Sequence, residues 1–354
     1  MLAPNIKLTT QLLKSFFSSL ISVRFASISI SHSRFLPISP TPDYIKNLED
    51  AFNKSKILSS NWSNEKEPSI ISQIPEMFIE YSNRFQDVCE TLTGDFSKEE
   101  AIEALKWLKS HLVSYDKNTS TLQSNISQFS TEFKSYIKII DESIDKANQQ
   151  ITGDRADVLD LQNQISVLYQ DIAEETEKVS GSMSNMATGG AELAYTMLEY
   201  GFLVATSSAE VPVVGIIIAV GGLTYDAIEV AINEQRIAEN LKRIKTLAVK
   251  VNKEDQQIVL LTNMNTMLNN LDKTLIAIHD SVDLGPIWTE ESDKLDVAIQ
   301  ELEIYTGTDF KSLLPIQTIS KAANAWSEIA KTATNIQISA TTIKSGEPIK
   351  LDNN

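Results

Sequence analysis

No proline interrupts the chain between Pro75 and Pro212. Through most of that stretch apolar residues return in alternating steps of three and four. Ala101, Leu105, Leu108, Leu112, Tyr115, Leu122, Ile126, Phe129, Phe133, Tyr136 and Ile140 follow one another this way, with Thr119 in one slot. One extra four-residue step leads to Ile144, Ala147, Ile151, Val158, Leu161, Ile165, Leu168, Ile172 and Val179. Such a seam of roughly 80 residues would reach about 120 Å as an unbroken helix, far longer than a helix in an ordinary globule. Gly153 and the charged seam residues Asp154 and Glu175 weaken it, so a bend or loop is expected near 152–156.

Helix punctuation surrounds the seam. Pro75 suits the first turn of a preceding helix, and Phe78, Tyr81, Phe85, Val88 and Leu92 give that helix an apolar stripe. Gly94 is placed to end it, and Ser97 with Glu100 reads as a capping box that opens the next. A second seam runs from Ile237 to Val282 and stops at Gly285-Pro286; two shorter helices follow near 289–306 and 316–338. Two long helices joined by one connection pack most simply as an antiparallel rod. The fold class expected is therefore all-α: an elongated antiparallel bundle of very long helices with a small hydrophobic head inserted between two of them.

Composition narrows the function. The net charge of −16 argues against nucleic acid, whose phosphates call for a basic surface. One cysteine, Cys89, excludes an intramolecular disulfide and any CxxC motif. Three scattered histidines offer little for metal ligation or proton transfer. Carboxylate pairs such as Glu174-Glu175 lie on charged helix faces and read as solvated surface. No catalytic, cofactor-binding or metal-binding residue is expected, and no cofactor.

The informative segment joins the two seams. No lysine or arginine lies between Lys178 and Arg236, and Tyr200–Tyr225 holds a single charge, Glu210. Residues 211–223 are the most hydrophobic stretch of the chain, with Gly215, Ala219, Gly221 and Gly222 permitting close backbone approach. A rod end has little core in which to hide such a run, so either the folded protein or a lipid bilayer must cover it. Glu210 and Pro212 are expected to mark a turn between two arms, 191–209 and 211–230, each near the roughly 20 residues of a membrane-spanning helix. The β-branched run 211–218 equally supports a β-hairpin tongue. The residues expected to enter a membrane are Phe202, Leu203, Val204, Val211, Val213, Val214, Ile216, Ile217, Ile218, Val220 and Leu223. Read as a helix, 191–210 places Glu192, Thr196, Glu199, Thr206 and Glu210 along one face, a candidate lining for a water-filled pore.

The ends read differently. Residues 1–42 carry four basic residues and no acidic one, with apolar and serine residues between, and Pro37, Pro40 and Pro42 close the stretch. It is expected to be a leader and linker, either a targeting segment or unstructured. The domain plan is then 1–42 leader, 43–182 and 230–340 bundle tail, 183–229 membrane-interacting head, and 341–354 polar tail.

This layout of a 101–179 seam, a 183–229 insert and a 230–284 seam resembles the α-helical pore-forming toxins, namely cytolysin A and the haemolysin BL and non-haemolytic enterotoxin components. The resemblance spans most of residues 43–340 and is architectural, with no short diagnostic motif. It implies a secreted protein that inserts its head into a target-cell membrane and forms homo- or hetero-oligomers with related subunits. The rival class is a non-enzymatic coiled-coil tether or scaffold that uses 200–225 as a membrane anchor or partner site.

Overall fold

The computed structural model describes residues 2–32, 43–149, 155–190, 193–206, 209–220, 283–345 and 349–350, and only short pieces between 239 and 280. Most of the second seam, and Leu223 and Glu192, lie outside the described residues.

The chain folds as a bundle of long helices. α1 spans Ile6–His32 and α2 Asp43–Asn61. A π-helical turn, Trp62–Lys66, joins α2 to α3, Glu67–Thr93. α4 runs Lys98–Asn148, about 75 Å at 1.5 Å per residue, and α5 runs Arg155–Thr188. After two strands come α6, Gly285–Ile304, a short 3-10 turn, Phe310–Leu313, and α7, Ile316–Thr341. α3 packs most extensively on α7, and α4 on α6, α2 and α3.

The heptad seam is the buried stripe of α4 and α5. Ala101, Leu105, Leu108, Leu112, Tyr115, Thr119, Leu122, Ile126, Phe129, Phe133, Ile140 and Ile144 are all buried, as are Val158, Leu161, Ile165 and Leu168. Near its middle Ile137 is the buried residue, while Tyr136 is half-buried and packs against the same core. α4 ends at Asn148 and α5 begins at Arg155, so the seam is carried by two helices and not one. The capping box forms: the Ser97 amide donates to Glu100 Oε2 at 2.7 Å, and the Glu100 amide donates to Ser97 Oγ at 3.1 Å. The Ser97 amide and hydroxyl, both donating to Oε2, hold the Glu100 carboxyl below its usual range.

Pro75 does not start a helix. α3 begins eight residues earlier, with Pro68 in its first turn, and Pro75 sits buried inside it. A proline there removes one backbone donor, which a long, well-packed helix tolerates. Around it lies an aromatic core shared by α3, α4, α6 and α7. Tyr81 meets Trp326 edge-on at 4.5 Å, Phe78 lies 4.9 Å from Trp288, and Trp288 stacks on Trp326 at 6.5 Å.

The amino-terminal segment departs most from its reading as a leader. Over 6–32 it is a helix buried on several sides, packed against α5, α2, α7, α3 and the second strand. Leu13, Phe16, Phe17, Leu20, Ile21, Val23 and Phe25 are each at most 2% exposed. A helix apolar on all sides is one enclosed by others, and this accounts for the absence of acidic residues. Its Arg24, which breaks the apolar run, pairs with the fully buried Glu67 of α3.

Candidate functional site

The apolar insert is a β-hairpin. β1 spans Ala194–Thr206 and β2 spans Ala209–Val220, paired antiparallel from Thr206↔Ala209 down to Thr196↔Val220. Its β-branched residues and glycines suit a ladder better than a helix. The strands continue through the expected turn: Glu210 pairs with Ala205 and Pro212 with Leu203, so the chain reverses between Thr206 and Ala209. Pro212 is tolerated because β2 is an edge strand in the order β2-β1-β3, and because the ladder is interrupted beside it. The register slips between Gly201↔Gly215 and Leu203↔Pro212, setting Val213 and Val214 against the single residue Phe202. Such a bulge bends and further twists the ribbon.

Strand alternation redistributes the candidate residues. One face of the ladder carries positions 198, 200, 202 and 204 of β1 with 211, 216, 218 and 220 of β2, all bulky and apolar or aromatic, flanked by Thr196 and Thr206. The other carries Met197, Glu199, Gly201, Leu203 and Ala205 with Glu210, Pro212, Gly215, Ile217 and Ala219. Of the expected membrane-entering residues, Phe202, Val204, Val211, Ile216, Ile218 and Val220 share the first face. Leu203 and Ile217 fall on the second, and Val213 and Val214 stand in the bulge. The single helical face expected for the pore-lining candidates is not present in this form. Glu199 and Glu210 fall on one face and Thr196 and Thr206 on the other, because a strand repeats every two residues and not every three or four.

The hairpin is held by elements that sequence reasoning left out of the site. α1 and α5 pack against β2. Between α1 and α5 the side-chain bonds are made by serines, a lysine and an asparagine. Ser22 Oγ donates to Ser180 Oγ at 2.8 Å, Ser184 Oγ to the Lys14 carbonyl at 2.6 Å, and Lys14 Nζ to Asn185 at 3.3 Å. The available signal was the four-residue spacing of Ser180 and Ser184, which puts both on one helix face.

At the joint between α5 and β1 the helix closes on Gly189 and Gly190. Their amides donate to the Met186 and Ala187 carbonyls at 2.9 and 3.0 Å. Gly190 has φ of 78°, and a Cβ there would meet Asn335 Oδ1 at 3.2 Å. Asn335 of α7 donates its amide to the Thr188 carbonyl at 3.0 Å, capping α5 from another helix. Leu193 then enters the core at 1% exposure.

The carboxyl-terminal segment also belongs here, and not to a free polar tail. β3, Lys344–Ser345, and β4, Ile349–Lys350, pair parallel with β1 on the edge away from β2. Away from the hairpin, two buried carboxylates tie down the amino-terminal segment. Burial pushes the Glu67 carboxyl up to about 7 despite the Arg24 guanidinium beside it. Burial also pushes Glu291 up to about 7; it accepts from Lys294 Nζ at 2.6 Å, and the same ammonium donates to the Ala3 carbonyl at 3.1 Å.

Among the described residues no helix is long and apolar enough to cross a membrane, and no group of three His, Cys, Asp or Glu could hold a metal ion.

The fold is shared with solved components of α-pore-forming toxins. The chain superimposes on motility associated killing factor B from Vibrio cholerae with a TM-score of 0.82, covering 99% of this chain and 97% of that one at 20% identity. Soluble SmhB of the tripartite α-pore forming toxin Smh from Serratia marcescens gives 0.75, with 97% and 95% covered at 10% identity. The HblL1 toxin component of Bacillus cereus gives 0.65, with 93% and 95% covered at 16% identity. In sequence, residues 35–175 match the family model for Bacillus haemolytic enterotoxin (HBL). No curated protein matches the chain.

Proposed function

We propose that this protein is a secreted subunit of a pore-forming toxin, which delivers the 194–220 hairpin into a target-cell membrane and assembles with companion subunits. The observation that carries the reading is that hairpin: one face of its ladder is apolar or aromatic over its length, and it lies against α1 and α5 of the bundle. Taken away from the strands that pair with β1, a two-stranded ribbon has open edges, and it cannot cross hydrocarbon with unpaired backbone groups. Entry therefore requires that 191–230 rewind as helices or close with other copies. The HBL match over the bundle and the tripartite toxin subunits of the same fold support the companion-subunit part of the reading. The activity is physical and uses no catalytic residue.

If the insert rewinds as helix, Glu192, Thr196, Glu199, Thr206 and Glu210 regain one face and line the water-filled side. Carboxylates at that depth are tolerated only beside a cavity, and rings of them favour cations.

The test is dye release from phosphatidylcholine–cholesterol liposomes by the purified protein, alone and mixed with candidate companion subunits. Release that requires the hairpin supports the reading. Stable binding without release, whatever subunits are added, replaces it with a membrane tether. The lining assignment is tested by planar-bilayer recording of wild type against a Glu192→Gln, Glu199→Gln double variant. Cation preference weakened in the variant is expected; anion preference, or no change, overturns it.

A further inference from the structure

Three of the four tryptophans, Trp62, Trp288 and Trp326, are fully buried, whereas Trp107 of α4 is 43% exposed. This indole is held rigidly. The Arg84 guanidinium of α3 lies over its ring, 5.8 Å from the centroid, and the His111 ring meets it edge-on at 4.8 Å. Arg84 is itself fixed from three sides. Its Nε donates to Tyr115 Oη at 3.2 Å, one terminal nitrogen donates to His111 Nε2 at 3.3 Å, and the other lies 3.5 Å from Glu80 Oε2. Tyr115 Oη donates in turn to the same Glu80 oxygen at 3.2 Å. A guanidinium can only donate, so His111 Nε2 accepts and the ring proton sits on Nδ1. Burial and the Arg84 charge hold that imidazole below its usual range, which suits it to accept.

The exposed part of the indole is thus presented in one orientation, with little freedom left to lose on binding. Its rim is rich in acceptors. Asp87, one turn nearer the α3–α4 connection than Arg84, and Glu103, one turn nearer it than Trp107, are both exposed, and Glu80 is half-buried. Ionised carboxylates only accept hydrogen bonds. The nearby cations are occupied: Arg84 by its three partners, Lys106 and Lys109 by Glu303 and Asp296 of α6. An anionic ligand would meet three carboxylates there and no uncompensated positive charge.

A protein partner fits poorly too. Specific protein interfaces bury about 800 Å² a side around an apolar centre. The exposed neighbours of Trp107 along α4, Glu103, Ser110 and Ser114, are polar. Val113, the nearest exposed large apolar residue of α4, stands in line with Lys106 and Lys109 on the α6 side. One aromatic surface within a polar, acceptor-rich rim matches a small neutral ligand that has an apolar C–H face and many hydroxyl donors. A sugar ring has both.

We propose that Trp107, framed by Arg84, His111, Glu80, Asp87 and Glu103, is a binding site for a neutral saccharide, carried in use by a glycan of the target-cell surface. The sugar lays its C–H face on the indole and donates its hydroxyls to the carboxylates. The purpose of the site rests on the pore-forming reading; its existence does not, and can be measured in solution.

In the test, the full chain is passed over immobilised multivalent saccharides ending in glucose, galactose, mannose, N-acetylglucosamine or sialic acid, at about 0.05 and 0.5 M salt. A neutral display is expected to bind equally at both, since no ion pair is formed. Trp107→Ala should lose at least about tenfold in affinity, and Trp107→Phe less. The other tryptophans are buried, so acrylamide quenching reports chiefly on Trp107, and bound sugar should slow it. Circular dichroism and the melting midpoint separate loss of the site from loss of the fold. Should Trp107→Ala melt early, the Asp87→Asn, Glu103→Gln double variant leaves the Arg84 network in place and should still weaken binding several-fold. No binding to any neutral display, or equal binding by wild type and variants, overturns the site, as does preference for the sialylated display. Binding to a lysine-rich peptide that fades with salt, or self-association abolished by Trp107→Ala, either one without saccharide binding, gives the patch to a protein partner and overturns it. Saccharide binding with no dye release from vesicles carrying that sugar as a glycolipid, with or without companion subunits, keeps the site and removes the pore reading. Dye release by a wild-type chain that binds no saccharide leaves the pore reading standing and overturns the site.

Discussion

The aromatic body and the head are built from different bonds. In the body, Tyr81, Phe78, Trp288 and Trp326 interlock across four helices, each fully buried or nearly so. Aromatic pairs of this kind add about 0.5–1.5 kcal/mol each beyond the area they bury. At the head, α1 meets α5 through serine hydroxyls as well as apolar packing, and the hairpin carries a backbone ladder and short edge strands. A neutral hydrogen bond of that sort nets only about 0.5–1.5 kcal/mol, since water offers nearly the same bond. The body loses its contacts outright if opened. The hydrogen bonds of the head can be exchanged for others at small net cost. One molecule thus combines a persistent scaffold with a part that can be rearranged.

The largest expected effect breaks the scaffold. Trp326→Ala removes the ring shared by Tyr81 and Trp288, and should cost about 3–5 kcal/mol in denaturant unfolding. A loss under 1 kcal/mol would mean that the body is not the stable half.

Ile217→Asp addresses the head alone. Ile217 pairs with Glu199 in the ladder, so the substitution sets two carboxylates opposite each other on the less apolar face. The soluble fold should survive, with an unchanged melting midpoint for the body. Membrane binding in a flotation assay should fall, because a charge at bilayer depth costs about 2.5–3.5 kcal/mol. Undiminished flotation would move the inserting element elsewhere.

Gly190→Ala probes the joint between the two regions. A positive φ and an Asn335 oxygen 3.2 Å from the added carbon both oppose it, for a cost of about 1–2 kcal/mol. Amide exchange should accelerate near 186–194 and stay constant around Trp288. Uniform acceleration would show that head and body unfold as one unit.

The most local effect is in pH, at a single carboxyl. Glu67 has a folded-state pKa raised to about 7 from 4.5, so the native protein binds its proton more tightly than the unfolded chain does. Its contribution is fully present below about pH 4.5 and is lost as pH rises through about 7. Wild type should therefore gain stability from this site between pH 8 and pH 5, and Glu67→Gln should flatten that part of the profile in thermal melts. An identical profile in both proteins would place the proton elsewhere.

Much of the body was legible because a heptad seam has one physical meaning over so many residues. Leu105, Leu108, Phe129 and Phe133 fell where the periodicity put them, and Ser97 with Glu100 formed the expected cap. The head was harder to read. The residues of 1–42 are apolar and free of acids, which describes a targeting leader and an enclosed helix equally; only the packing of Phe16, Phe17 and Leu20 separates them. The insert's residues fit a helix by spacing and a strand by β-branching, and long-range packing on α1 and pairing with the carboxyl-terminal strands tip the balance. A two-residue strand such as Ile349–Lys350 leaves no periodic trace at all.

The cap on α5 bears on how the rod can grow. The last Thr188 carbonyl is satisfied by Asn335, a side chain borrowed from α7, and not by its own helix. A helix continued through residue 192 would offer that carbonyl the backbone amide four residues on, and Asn335 would turn to water. The swap is one acceptor bond for another. Splicing further turns onto α5 therefore loses no bond at the Thr188 carbonyl, and the obstacles to elongation are the glycine pair, with Gly190 at positive φ, and what holds the strands beyond it.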